Sequence, residues 1–166
     1  HYARGVAFAA KGDPTAASAE SEAILKIEQN ADFADLESGG VPATQVLRVA
    51  RHVVDARTAQ ARGDLATAVA EFELAVGLED QLAYMEPPFW YYPLRQSLGA
   101  VKLLAGDPDG AEAAFRTLLL ATPQNGWALY GLAEVHRQRG DSRSARALEK
   151  RLRQAWVGDP SQLSLA

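Results

Sequence analysis

Four Gly-Asp pairs, at Gly12, Gly63, Gly106 and Gly140, punctuate this chain of 166 residues. Each pair lies between two stretches whose apolar residues recur at helical spacing, as in "LRQSLGAVKLLAGDPDGAEAAFRTLLLA" around Gly106. Glycine can take the left-handed conformation that ends one helix, and aspartate can then cap the next helix. The pattern therefore predicts four helical hairpins whose apolar faces are buried against neighbouring hairpins, as in a repeat protein.

Composition excludes several classes of protein. The chain is 48% hydrophobic and 23% charged, values that are typical of a globular domain or a short repeat array. Its net charge of −4 gives no support to nucleic-acid binding. It has no cysteine, which excludes disulfides, thiol nucleophiles and cysteine-bound zinc. No apolar run reaches the roughly 18 residues that a membrane span requires.

The segment from Gly106 to Gly140 has the 34-residue period of tetratricopeptide repeats. Ala111, Phe115 and Pro123 stand at the small, aromatic and helix-closing positions of that repeat. A small residue also precedes every Gly-Asp pair by seven positions. These residues are Gly5, Ala56, Gly99 and Ala133. The chain resembles the tetratricopeptide-repeat (TPR) family, and along most of its length it is similar to the C-terminal part of an uncharacterised group of bacterial TPR proteins.

The resemblance implies an all-α, right-handed TPR-type superhelix of about four antiparallel helix pairs with two insertions. The first insertion is predicted to be a loop, and the helix after Asp64 is predicted to continue to about Tyr84. The chain opens at His1 rather than Met and has no recognisable signal peptide, so we expect a fragment with further repeats upstream in the parent protein. The predicted units are 1–29, 43–84, 93–122 and 126–157, with insertions at 30–42 and 85–92 and a C-terminal tail at 158–166.

The second insertion, within "YMEPPFWYYP", gathers aromatic and proline residues that a generic repeat does not need. Pro87 and Pro88 must stop the preceding helix, and Pro93 suits the start of the next one. The rings between them have no helical role. They are Phe89, Trp90, Tyr91 and Tyr92. Two interpretations stay open: a packed corner between helices, or direct ligand contact by at least one tyrosine.

Catalytic motifs are missing from the sequence. No serine stands in a G-x-S-x-G turn, and no Gly-rich phosphate-binding motif occurs. The histidines His1, His52 and His136 lack the spacing of a zinc-binding helix. His52 and Asp55 are one helical turn apart, which allows a metal-binding or basic role but is more typical of a structural pair. The sequence therefore predicts a protein that is not an enzyme, with no cofactor and no metal site.

The resemblance implies where a partner binds, because the first helix of each TPR pair lines the inner face of the superhelix. The side chains carried over to this face include aromatic, basic and amide groups, which suit a peptide segment or a small polar ligand. They are Tyr2, Val53, Arg57, Gln60, Gln96, Ala100, Trp127, Tyr130, Glu134 and Arg137.

Three functional hypotheses follow. The first is a scaffold that binds a protein or peptide partner of unknown identity on the concave face. The second is a small-ligand or metal-binding accessory module of an enzyme whose catalytic part lies upstream. The third is a homo-oligomer formed through an exposed stripe that includes Trp156. No nucleic-acid partner and no membrane span are predicted, and we expect a soluble bacterial protein, cytoplasmic or periplasmic.

Overall fold

The computed structural model describes residues 1–165, and that part of the chain is built from helices and connecting turns. The all-α helical-repeat fold predicted from the sequence is confirmed. Each of the four Gly-Asp turns joins two consecutive helices into a hairpin. The helices of residues 1–165 are α1 Tyr2–Ala10, α2 Pro14–Asn30, α3 Ala34–Ser38, α4 Ala43–Ala61, α5 Leu65–Glu79, α6 Arg95–Leu104, α7 Pro108–Ala121, α8 Gly126–Gln138 and α9 Ser142–Ala155.

The Gly-Asp turns have the geometry that the sequence predicts. All four glycines have positive φ, between 74° and 82°, so each ends its helix in the left-handed region. The aspartate after each glycine is the N-cap of the following helix, and its carboxylate accepts the backbone N–H three residues further on. These hydrogen bonds measure 2.8–3.0 Å. The turn and cap of each hairpin are therefore specified by local sequence.

The chain divides into two compact units, and the first runs from His1 to Leu94. Helix α4 packs against both α1 and α2, so the second hairpin buries the face of the first. The approach is close at Gly5, where an added Cβ would lie 2.7 Å from Cγ1 of Val54. Val49, Val53 and Phe72 are fully buried in this unit.

The second unit begins at Arg95, and here α8 packs against both α6 and α7. Phe115 of α7 is 1% exposed and lies against Gly99 of α6 and Gly131 of α8. A Cβ at these glycines would come within 2.6 Å and 2.2 Å of the phenyl ring. The aromatic and small positions of the repeat therefore fit each other directly.

Two connections differ from the sequence predictions. The segment predicted as a loop contains α3, which begins where the Asp32 carboxylate accepts the Ala34 N–H at 2.9 Å. Helix α5 ends at Glu79 and not near Tyr84. Beyond Glu79 the backbone hydrogen bonds span three residues instead of four, so the α-helical pattern stops there. Both carboxylate oxygens of Glu79 accept hydrogen bonds from the N–H of Leu94, at 3.1 and 3.2 Å, which ties the end of α5 to the chain that follows the aromatic insertion.

Residues after α9 fold back onto their own unit. A single 3-10 turn spans Pro160–Gln162, and the Asp159 carboxylate caps it. Leu163 is then 6% exposed, in a cluster with Leu129 and Leu152. The segment that the sequence analysis treats as a tail thus covers apolar surface of α8 and α9.

Candidate functional site

A row of side chains on α8 forms one surface of the second unit. Trp127, Tyr130, Glu134 and Arg137 follow one another at intervals of three and four residues, which places them on one face of the helix. We call this row the α8 stripe. Trp127 is 42% exposed, and its ring meets that of Trp156 edge to face, with centroids 5.3 Å apart.

The charged end of the α8 stripe is held by ion pairs. The Arg137 guanidinium contacts Glu134 one turn away and Glu149 on α9 at 2.6 Å. Burial and the nearby charge of Glu134 raise the pKa of the Tyr130 hydroxyl, which stays protonated at neutral pH. The stripe thus offers a neutral hydroxyl beside a fixed cation and two carboxylates.

A cleft lies beside the α8 stripe. Its volume is about 300 Å³, and Tyr130 and Arg137 form one part of its lining. Pro160, Ser161 and Leu163 line another part, so the C-terminal segment forms a wall of the cleft. Sequence reasoning missed this wall, because nothing in the local pattern of residues 158–165 indicates where the segment packs.

The other residues that the family resemblance assigns to the inner face contact residues of their own unit. In the first unit the Arg57 guanidinium lies 5.2 Å from the ring centroid of Phe72 and donates to Gln60 at 2.9 Å. Val53 is 0% exposed, so it is a core residue and cannot contact a partner directly. In the second unit Gln96 accepts a hydrogen bond from Asn125 at 3.4 Å.

The aromatic insertion, residues 85–92, packs against the start of α1. Trp90 is 7% exposed, and its ring centroid lies 5.1 Å from that of Tyr2. The hydroxyls of Tyr2 and Tyr91 are hydrogen-bonded at 2.8 Å, and the rings of Tyr91 and Tyr92 are 4.9 Å apart. Burial and the bond to Tyr91 raise the pKa of Tyr2 far above its usual range. Phe89 is half-buried.

These contacts include features expected for both interpretations of the insertion, a packed corner and direct ligand contact by a tyrosine. Trp90 is a buried anchor, as a packed corner requires. Tyr91, in contrast, is 70% exposed although its hydroxyl and ring are held by neighbours. The contact with Tyr2, 89 residues away, could not be found from sequence.

A polar cluster joins α4 to α5 in the first unit. His52 and Asp55 lie on one face of α4, and Glu71 of α5 completes a set of three whose ligand atoms lie within 4.8 Å of one another. Nδ1 of His52 is 2.7 Å from Glu71, and the Arg51 guanidinium reaches both Asp55 and His52 at 3.3 Å. Burial, together with the charge of Glu71, raises the pKa of Asp55. The sequence points to His52 and Asp55 but gives no signal for Glu71.

His136 has a different environment in the second unit. It is half-buried, and its Nδ1 lies 3.2 Å from the carboxylate of Asp141, the cap of α9. The histidine thus faces the Gly-Asp turn of its own hairpin.

Four helical hairpins, each closed by a Gly-Asp turn, define this chain as a helical-repeat protein. A family model described as tetratricopeptide repeat matches residues 102–165. This match supports the assignment of the chain as a tetratricopeptide-repeat protein. Such repeats generally mediate protein–protein interaction and typically form non-catalytic scaffolds.

A curated relative is "Cellulose synthase operon protein C" of Xanthomonas axonopodis pv. citri (strain 306). It is 37% identical over 110 residues, which make up 66% of this chain and 7% of that protein. The chain therefore spans a small fraction of the length of this relative. No solved structure matches the chain.

Across residues 1–165, none of the helices is both long and apolar enough to cross a bilayer.

Proposed function

We propose that this chain is a non-enzymatic interaction scaffold whose units bind a protein or peptide segment through the first helix of each hairpin. The observation that carries the proposal is the α8 stripe in a chain of TPR hairpins. Trp127 and Arg137 are 42% and 41% exposed, respectively, while the helix behind them is buried. Aromatic and arginine side chains are the groups that most often dominate binding energy at interfaces.

The chemistry of the α8 stripe favours a peptide with both apolar and polar groups. The Tyr130 hydroxyl can donate or accept a hydrogen bond, and Leu152 and Leu163 give the cleft an apolar floor. Arg137 is already paired with two glutamates, so this site does not supply a free pair of cations for a terminal carboxylate. A segment with an apolar side chain flanked by hydrogen-bonding groups fits these features.

The name of the relative narrows the choice of candidate partner proteins. Its name places it in a cellulose synthase operon. We therefore propose that the segment bound by this chain belongs to another protein of such an operon.

Binding can be tested with purified proteins. Each other product of the operon that encodes this chain would be passed over the immobilised chain, and its binding would be measured by biolayer interferometry. We expect Tyr130→Ala with Arg137→Ala to weaken binding at least about tenfold, since interface anchors commonly contribute 2 kcal/mol or more. Arg57→Ala with Gln60→Ala tests the first unit in the same way.

A matched control is Arg116→Ala with Arg143→Ala, two exposed arginines outside the first helices of the hairpins, which we call the A helices. Circular dichroism would establish that every variant is folded. Undiminished capture by both folded A-helix variants would reject these surfaces as the binding site. A loss of capture with the control variant as well would indicate a general charge effect.

A second candidate function is favoured by the aromatic insertion. Tyr91 presents a 70% exposed ring whose position is fixed by Tyr2 and Tyr92. A fixed, exposed ring is suited to stacking on the apolar face of a sugar, and the relative's name refers to cellulose synthase. This gives a specific form to the small-ligand hypothesis, namely a β-1,4-glucan segment lying on Tyr91.

Titration with cellohexaose, followed by isothermal calorimetry, tests this candidate. Tyr91→Ala is expected to abolish binding of the sugar. The control is Tyr84→Ala, which removes an 89% exposed tyrosine whose hydroxyl donates to Glu86, and this variant is expected to bind the sugar unchanged. Absence of heat with the unaltered chain at millimolar sugar would reject the candidate without affecting the scaffold proposal.

A further inference from the structure

We propose that His52, Asp55 and Glu71 form a binding site for a divalent transition-metal ion, with Zn²⁺ as the probe. The site is separate from the α8 stripe and does not rest on the proposed partner. One imidazole nitrogen and two carboxylates form a donor set that zinc uses in proteins, with water completing the coordination.

The geometry arises from helix packing. His52 and Asp55 are three residues apart, so both side chains leave the same face of α4. Helix α5 runs beside α4 after the turn at Gly63 and brings Glu71 opposite this face. The three ligand atoms lie within 4.8 Å of one another. A tetrahedral ion with bonds of about 2.1 Å needs donor atoms about 3.4 Å apart, which side-chain rotations can provide.

The cluster has the accessibility that an ion needs. The side chain of His52 is 13% exposed, that of Glu71 24% and that of Asp55 30%. The carboxylates are thus partly removed from water but can still be reached from solvent. Two carboxylates in such a setting attract a cation more strongly than an exposed pair does.

Arg51 is the cation that now faces the cluster. Its guanidinium lies 3.3 Å from both Asp55 and His52, but its Nε is buried and meets no hydrogen-bond acceptor within residues 1–165. Arg51 is therefore incompletely bonded in its place. An ion bound to Nε2 of His52 would displace the guanidinium from that atom, and the ion and Arg51 would also compete for the Asp55 carboxylate.

The experiment uses the chain after treatment with EDTA and desalting, titrated with ZnCl₂ by isothermal calorimetry. We expect one ion per chain at the cluster. Glu71→Gln and Asp55→Asn keep side-chain size and are each expected to weaken binding at least about tenfold, in the range seen when metal-site partners are removed. Arg51→Met removes the competing cation and is expected to tighten binding severalfold.

Control variants separate this site from the other histidines. His1→Ala and His136→Ala are expected to leave the affinity of the cluster unchanged. Substitution with Co²⁺ adds a spectroscopic readout, since a four-coordinate site has strong visible absorption, and Glu71→Gln should shift its appearance to higher Co²⁺ concentration. Circular dichroism establishes that the variants are folded.

Two results would overturn the proposal. One is the absence of zinc binding by the unaltered chain at millimolar metal. The other is binding that persists unchanged in folded Glu71→Gln and Asp55→Asn variants, which would place the ion elsewhere.

Discussion

At the scale of single residues, a repeat position needs a small residue where a large side chain of a neighbouring helix leaves no room. Gly99 and Gly131 both face Phe115, and neither has room for a methyl group beside the phenyl ring. Gly77 in α5 is a glycine of another kind, since a Cβ there would meet no atom from elsewhere in residues 1–165 within 4 Å. Glycine is therefore required by packing at the first two positions and not at the third.

Gly131→Ala is expected to destabilise the protein by about 1–2 kcal/mol, because overpacking against Phe115 outweighs the better helix propensity of alanine. Gly77→Ala is the matched control and is expected to be neutral or stabilising by up to about 1 kcal/mol. Urea unfolding followed by circular dichroism measures both. Equal stability of the two variants would show that the contact with Phe115 is not constraining.

At the scale of elements, each hairpin depends on a carboxylate at the start of its second helix. Asp64 accepts the Thr67 hydroxyl at 2.7 Å and the Thr67 N–H at 3.0 Å, and these bonds lower the pKa of Asp64. Asp141 has its pKa lowered in the same way by Ser144. The caps of α5 and α9 are therefore formed by ionised aspartates.

A lowered pKa gives the cap of α5 a defined dependence on pH. Its stabilisation is complete above the unfolded aspartate pKa of about 3.9 and is lost as pH falls through the lower folded value. We expect NMR titration to give Asp64 a pKa below about 3.9. Asp64→Asn keeps a cap oxygen but cannot ionise, so the decrease in urea midpoint between pH 6 and pH 3 should become smaller. An unchanged decrease would contradict this assignment.

The segment after α9 packs on its unit through the side chain of Leu163. Leu163 fills the cluster with Leu129 and Leu152. Leu163→Ala is expected to cost about 2 kcal/mol, at the lower end of the range for buried leucine because a segment outside the helices can adjust. Leu120→Ala, at an 85% exposed position of α7, is expected to change stability by less than about 0.5 kcal/mol. Thermal unfolding of the two variants decides whether the segment is held as described.

At the scale of the whole molecule, the chain divides into two compact units, and each contains two hairpins. Val49, Val53 and Phe72 lie in the core of the first, and Phe115, Leu118 and Leu132 lie in the core of the second. In repeat proteins stability is a sum of local terms, so damage to one core need not spread.

Hydrogen exchange can test this separation. Gly131→Ala is expected to speed amide exchange in α6–α9 more than in α1–α5, because Phe115 belongs to the second unit. Mass spectrometry of peptic peptides gives the exchange of each helix. A uniform increase along the chain would instead mean that both units open as one.

The sequence by itself determined the hairpins. Gly-Asp turns, proline positions and apolar spacing act over a few residues, so four helix pairs and the small positions at Gly5, Ala56, Gly99 and Ala133 could be predicted and are all buried where expected. The α8 stripe follows from spacing along one helix, although its role in binding stays a prediction.

The tertiary structure alone decided the contacts between distant segments. It placed the Glu79 carboxylate, at the end of α5, against the N–H of Leu94, and it paired Tyr91 with Tyr2 across 89 residues. It also brought Glu71 to His52 and Leu163 to α8 and α9. Local sequence cannot specify these contacts, because each depends on where a whole helix or connection packs and not on the residues beside it.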